Sequence, residues 1–183
     1  MTHRVLTVSG SLRAASSNTG LIRVAQRLAP AGLDLSDPYP IRALPYYDGD
    51  LDTPETLPEV CRAWRADVAA ADALLIAAPE YNHGPSGVLK NAIDWASRPF
   101  GAHVLTGKVV SVMTSAGPGG GGYVLGMLEE LFGLLGCTVV DQPAVGLKLG
   151  MLSIAPDGTT TDPQIDEVVA DRLAHLAAAL DNR

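Results

Sequence analysis

The sequence predicts an α/β fold around a parallel sheet, and three observations carry that prediction. Short β-rich apolar runs alternate with helical stretches along the whole chain. The run "DALLIAAP" (72–79) is apolar almost without a break, which is how a strand covered on both faces reads. The helical stretches place their apolar residues three and four apart, so each has one face to bury.

The elements follow in order. "RVLTVSG" (4–10) reads as a strand stopped by glycine, and "GLIRVAQRLA" (20–29) as a helix with Leu21, Val24, Ala25 and Leu28 on one stripe and Pro30 behind it. A short strand at Leu33–Leu35 leads into residues 37–58, where prolines and aspartates rule out regular structure. "EVCRAWRADVAAA" (59–71) is a helix with Val60, Ala63, Trp64 and Val68 inward. The covered strand at 72–79 follows, then helix 86–97, where Lys90 and Asp94 stand one turn apart and can pair. Residues 108–116 form a strand, 123–136 a helix, 137–140 a fifth strand and 163–181 a closing helix. Right-handed crossovers then leave a five-stranded parallel sheet with helices on both faces.

At 183 residues the chain fits one domain, 1–183, with a full core. A net charge of -7 argues against nucleic acid as a partner, because phosphate backbones are bound by basic faces. The apolar runs fall short of the roughly 20 residues that cross a membrane, so no membrane partner is expected. "MTHRVLTVSGS" lacks the apolar core of a secretion signal, and Cys61 and Cys137 read as reduced thiols, so a cytoplasmic location is expected. No metal site is read from the sequence. The first acidic residue is Asp34, while Arg4, Arg13, Arg23 and Arg27 come before it.

In such sheets ligands sit beyond the carboxyl ends of the strands, where strand order reverses, which gathers loops 9–18, 78–86 and 115–122. Loop 9–18 holds Ser9, Ser11, Ser16, Ser17, Asn18 and the cation Arg13, with no carboxylate. It opens a helix whose first N–H groups are orphaned, and the capping-box position holds no Glu or Gln. Serine hydroxyls, helix N–H groups and Arg13 suit a phosphate monoester; an ordinary N-cap by Asn18 beside a surface arginine is the plainer alternative. GxxxxGK[ST] is absent, which removes a nucleoside triphosphate.

Gly117, Gly119 and Gly122 satisfy GxGxxG, with Asp141 about 20 residues on. The motif follows the fourth strand rather than the first, and too little chain remains for a dinucleotide half. A plain flexible glycine loop, or glycines that let the backbone approach a flat ligand closely, are the alternatives that remain.

"GSLRAASSN" (10–18), "PEYNHGPSGVLKNAIDWASR" (79–98) and "GKVVSVMTSAG" (107–117) resemble the NADPH-dependent FMN reductase family. The resemblance runs in order along essentially the whole chain. It implies a flavodoxin-like three-layer α/β/α sandwich with a five-stranded parallel sheet in the order 2-1-3-4-5. It also implies FMN as cofactor and NADPH or NADH as co-substrate. By position, Ser11, Arg13, Ser16 and Asn18 would bind the FMN phosphate, with Ser17 in the same loop. Pro79, Glu80, Tyr81 and Asn82 would run along the isoalloxazine edge, and Ser115 and Gly117 would begin the loop on its other side. The chain departs from the family at His83 and at "GPSG", where Pro85 comes one residue early, and this bears on the substrate pocket.

The hydride chemistry would fall on FMN N5, so no side chain is assigned as a catalytic acid or base. Glu80 reads as an ion-pair partner behind the turn rather than a proton donor, and Tyr81 as packing near the ring. Asn91 and Trp95 read as packing or subunit contacts, and Tyr46 and Tyr47 as candidates to cover a neighbouring subunit's site. The expected activity is an NAD(P)H-dependent oxidoreductase working in alternating half-reactions. Its acceptor would be a small molecule such as a quinone, an azo or nitro compound, free flavin or an oxidised metal ion. Family members generally form homodimers or homotetramers, and the same is expected here. A flavodoxin-type electron carrier without nicotinamide turnover is the alternative.

Overall fold

The computed structural model describes residues 2–183. The elements run β1 (His3–Ser9), α1 (Ser17–Leu28), β2 (Leu33–Leu35), α2 (Glu59–Ala70), β3 (Ala73–Ala77), the two-residue strands β4 (Glu80–Tyr81) and β5 (Gly84–Pro85), α3 (Gly87–Ala96), β6 (Val109–Ala116), α4 (Gly122–Leu134), β7 (Thr138–Val140), β8 (Gly146–Lys148) and α5 (Pro163–Asp181). The main sheet is parallel in the order β2-β1-β3-β6-β7. Counting only its five expected strands, this is 2-1-3-4-5, the flavodoxin-like order.

The sheet holds six strands rather than five, because the last position is split. β7 pairs with the start of β6, from Val109 to Ser111, and β8 pairs with its end, from Thr114 to Ala116. Between them lies Pro143, which has no N–H to donate and so interrupts a ladder.

β1, β3 and β6 are buried on both faces, and their alternating side chains feed two apolar layers. Leu6, Leu74, Ile76 and Val112 face α2, α3 and α4, where Trp64, Trp95 and Phe132 fill the space. Val5, Leu75 and Met113 face α1 and α5, against Leu21, Val24, Val169 and Leu173. The buried tryptophans keep their polar handles satisfied: Trp64 donates to the carbonyl of Ala92 and Trp95 to that of Pro45, both at 2.8 Å.

Three local expectations are corrected. α1 begins at Ser17, three residues earlier than the apolar spacing indicated, because Ser16 caps it. The inward stripe of α2 is Cys61, Trp64 and Val68, while Ala63 is exposed. Loop 37–58 contains two short 3-10 turns, Ile41–Ala43 and Gly49–Leu51. Among the described residues no helix is long and apolar enough to cross a membrane.

Candidate active site at the carboxyl edge of the sheet

β1, β3 and β6 end side by side, and the chain leaves β1 toward one face of the sheet and β3 and β6 toward the other. A cavity of about 340 Å³ opens there. One end is formed by Ser11, Arg13, Ser16, Ser17 and Asn18, and its flanks by Pro79, Glu80 and Tyr81 on one side and Ser115 and Gly117 on the other. Of the positions that the family resemblance assigns to FMN, only Asn82 lies outside this lining. It sits at the tip of the β4–β5 hairpin with φ 52°, followed by His83 at φ 64°, a two-residue loop of the type whose twist suits adjoining antiparallel strands. Ala116 and Met151 also line the cavity. Met151 belongs to a 3-10 turn after β8, in a stretch where the sequence carries neither periodicity nor motif.

The cradle is short of acceptors. The Ser16 hydroxyl takes the N–H of Thr19 at 3.3 Å, and no acidic residue stands in the first turn of α1. No residue of the described chain accepts the N–H of Ala15, Ser16, Ser17 or Asn18. Arg13 stands out among the early arginines. Arg4 pairs with Asp67, Arg23 with Asp37 and Arg27 with Asp166, whereas Arg13 is exposed at the cavity and meets no carboxylate among the described residues. Open N–H donors, a positive helix end and an unpaired guanidinium have the chemistry that a phosphate group needs, so the residues present fit FMN at this end.

Side chains tie one flank to the end of the cavity and the other flank to α4. Asn18 donates to the carbonyl of Ser115 at 2.8 Å and accepts its N–H at 3.0 Å, and the Ser115 hydroxyl donates to that of Ser17 at 2.8 Å. On the opposite flank a Glu80 oxygen accepts the N–H of Val124 at 3.0 Å, in the first turn of α4. Glu80 therefore has a helix end for its main partner instead of an Arg or Lys; the His83 ring stands 4.0 Å from its other oxygen. His83 also packs edge-on against Tyr123, with ring centroids 4.4 Å apart.

A second cavity of about 450 Å³ adjoins the first and shares Arg13 and Tyr81 with it. Leu12, Tyr46 and Val88 give it apolar walls. Tyr46 thus lines a cavity of its own chain. Tyr47 turns inward, with its ring 4.9 Å from Trp95 and its N–H held by Asn91 at 2.8 Å. Asn91 and Trp95 both bond to Pro45 and are packing residues that fix this loop.

Comparison with known proteins agrees with this geometry. The family model described as NADPH-dependent FMN reductase matches residues 3–150. A 2-hydroxy-1,4-benzoquinone reductase of Burkholderia sp is 40% identical, over 81% of this chain and 80% of its own. A probable NADPH:quinone oxidoreductase 2 of Oryza sativa subsp. japonica is 35% identical, over 96% of this chain and 87% of its own. Among solved structures, FerB, a flavoenzyme NAD(P)H:(acceptor) oxidoreductase from Paracoccus denitrificans, superposes with a TM-score of 0.87 at 29% identity, covering 99% of this chain and 98% of its own. This chain belongs to the NADPH-dependent FMN reductase family and is an NAD(P)H-dependent FMN oxidoreductase.

Proposed function

We propose that the chain reduces quinones with electrons from NADPH or NADH in two alternating half-reactions at the cavity between β1, β3 and β6. Bound FMN would supply the redox chemistry, taking a hydride from the nicotinamide and passing two electrons to the acceptor. The observation that carries the reading is Arg13, unpaired beside an acid-free helix start. Arg13 and the N–H groups of Ser16, Ser17 and Asn18 hold the phosphate. The hairpin at Glu80–Pro85 and the turn after β6 bound a slot for the flat ring. The N–H groups of Gly117 and Gly119, which no residue of the described chain accepts, are free to meet its polar edge.

The adjoining cavity, walled by Leu12, Tyr46, Tyr81 and Val88, is where a flat apolar acceptor would enter. It favours turnover of small molecules over service as an electron carrier, as do the quinone-reducing relatives. We read 1–183 as one domain, since both apolar layers pack on a single sheet. Two free cysteines, with burial raising both thiol pKa values, suit a reducing cytoplasm.

The outer side of α4 suggests a homodimer. Tyr123, Met127 and Leu134 are exposed at near-helical spacing while Val124, Leu128 and Phe132 face the core, so the helix is apolar on two sides. An apolar stripe of this kind needs a cover, and a second copy supplies it.

Anaerobic titration tests the reading. The purified protein should be yellow, release FMN on denaturation, bleach with NADPH or NADH and regain colour with a benzoquinone. A protein that cannot be loaded with FMN would sink the enzyme reading, and flavin that stays oxidised with both donors would favour the carrier.

A further inference from the structure

We propose that the side chain of Asn18 is a positioning group that completes the pairing of β6 and sets the ring slot, and that only the backbone N–H of this residue, not its amide, meets the phosphate. This rests on the reading of the cradle as an FMN phosphate site.

The edge of β6 that faces β3 runs out of partners at the site. The β3 pairing ends at Ala77 opposite Met113, and the N–H of Ala78 donates to the carbonyl of Met113. Thr114 turns its N–H to the other edge, where Val145 accepts it. The next backbone groups on the abandoned edge are those of Ser115, which is buried and would leave a donor and an acceptor unpaired. Asn18 meets both, at 2.8 Å and 3.0 Å, so its amide stands in for the peptide of a missing strand.

Only an amide of this length both donates and accepts here. An aspartate would oppose the Ser115 carbonyl, and a serine would reach one group at most. The carbonyl oxygen of the Asn18 amide is committed to Ser115, and so is one of its two N–H groups. The Ser17–Ser115 hydroxyl contact at 2.8 Å adds a second tie between the same segments. Through Asn18 the phosphate cradle and the wall at Ala116 and Gly117 become one rigid piece at the point where β3 leaves the sheet and the crevice opens.

Affinities of FMN and of riboflavin, which lacks the phosphate, separate the two roles. They are measured on flavin-stripped protein by quenching of flavin fluorescence. Arg13→Ala should weaken FMN and leave riboflavin unchanged. Asn18→Ala should weaken both by a similar factor, about tenfold for the loss of a paired hydrogen-bond set, and should speed hydrogen exchange at the Ser115 amide. Leu176→Ala, a fully buried change on α5, controls for general loss of stability: it should lower the melting temperature and leave both affinities in place. If Asn18→Ala does not fold, Asn18→Asp retains the acceptor for the Ser115 N–H, and its riboflavin affinity should still fall. Loss of FMN affinity alone in Asn18→Ala, or unchanged riboflavin binding in either variant, would overturn the proposal. Wild-type protein that binds riboflavin as tightly as FMN would instead overturn the phosphate cradle itself.

Discussion

Glu80 accepts the N–H of Val124 at 3.0 Å and so joins the hairpin after β3 to the helix after β6. The residue capping α4 is Gly121, which has no side chain, and no acid stands in that helix's first turn. Glu80 supplies from outside both the missing cap and the negative charge that a helix start attracts.

Glu80→Ala should cost about 1–2 kcal/mol of stability, the usual loss when a capping acceptor is removed. Glu80→Gln, which can still accept the N–H, should recover most of it. Urea unfolding of the three proteins checks the order, and equal losses in both variants would show that charge alone matters.

Arg13→Ala should weaken FMN by about 1–3 kcal/mol, the loss of a charge-assisted contact. Arg13→Lys should fall between, because an ammonium cannot bind a phosphate in two-pronged fashion. The affinity is read by fluorescence titration, and an unchanged value places the phosphate elsewhere.

Gly121→Ala should be strongly destabilising. Its φ is 76°, and an added Cβ would lie 2.4 Å from the Thr114 methyl carbon. Gly119→Ala, two residues away with open space around it, should be close to neutral. Melting temperatures distinguish the pair, and a stable Gly121→Ala would show that the turn can be rebuilt.

Acid stability should depend on Asp52. It pairs with Arg65 at 2.7 Å, both side chains being largely buried, and the Arg65 hydrogen bonds hold its carboxyl below the ordinary 3.8. A carboxyl with a depressed pKa adds stability above its unfolded value and loses it as the pH falls through the folded one. The contribution should therefore be complete above about pH 5 and fade below about pH 4. Asp52→Asn should be less stable at neutral pH and show a shallower loss on acidification, measured by denaturant midpoints from pH 7 to pH 3.

Met127→Asp with Leu134→Asp should give a monomer by light scattering while FMN stays bound, since both side chains are exposed and neither lines the cavity. A dimer that persists would move the interface off α4.

Much of the fold was legible because it depends on local pattern. Ala73–Ala77 is apolar throughout and lies at the centre of the sheet, and Pro163–Asp181 is helical over the span that its periodicity marks. β8 was not legible, since Gly146–Lys148 is three residues long, exposed at both ends, and becomes a strand only by pairing with the end of β6. Met151 likewise reaches the cavity because the chain after β8 turns back toward it, and no spacing in the sequence signals that.

Residue type and short-range spacing account for the alternation of strands and helices, the absence of acid around "GSLRAASSN" and the glycines after β6. Tertiary structure alone decided which early arginine stays unpaired. Asp67, Asp37 and Asp166 reach Arg4, Arg23 and Arg27 from as far as 139 residues away, and Arg13 meets no carboxylate among the described residues. It also decided that the Asn18 amide meets the backbone of Ser115, 97 residues on. Ion pairs and buried hydrogen bonds depend on distance in space, which the order of residues does not set until the sheet has formed.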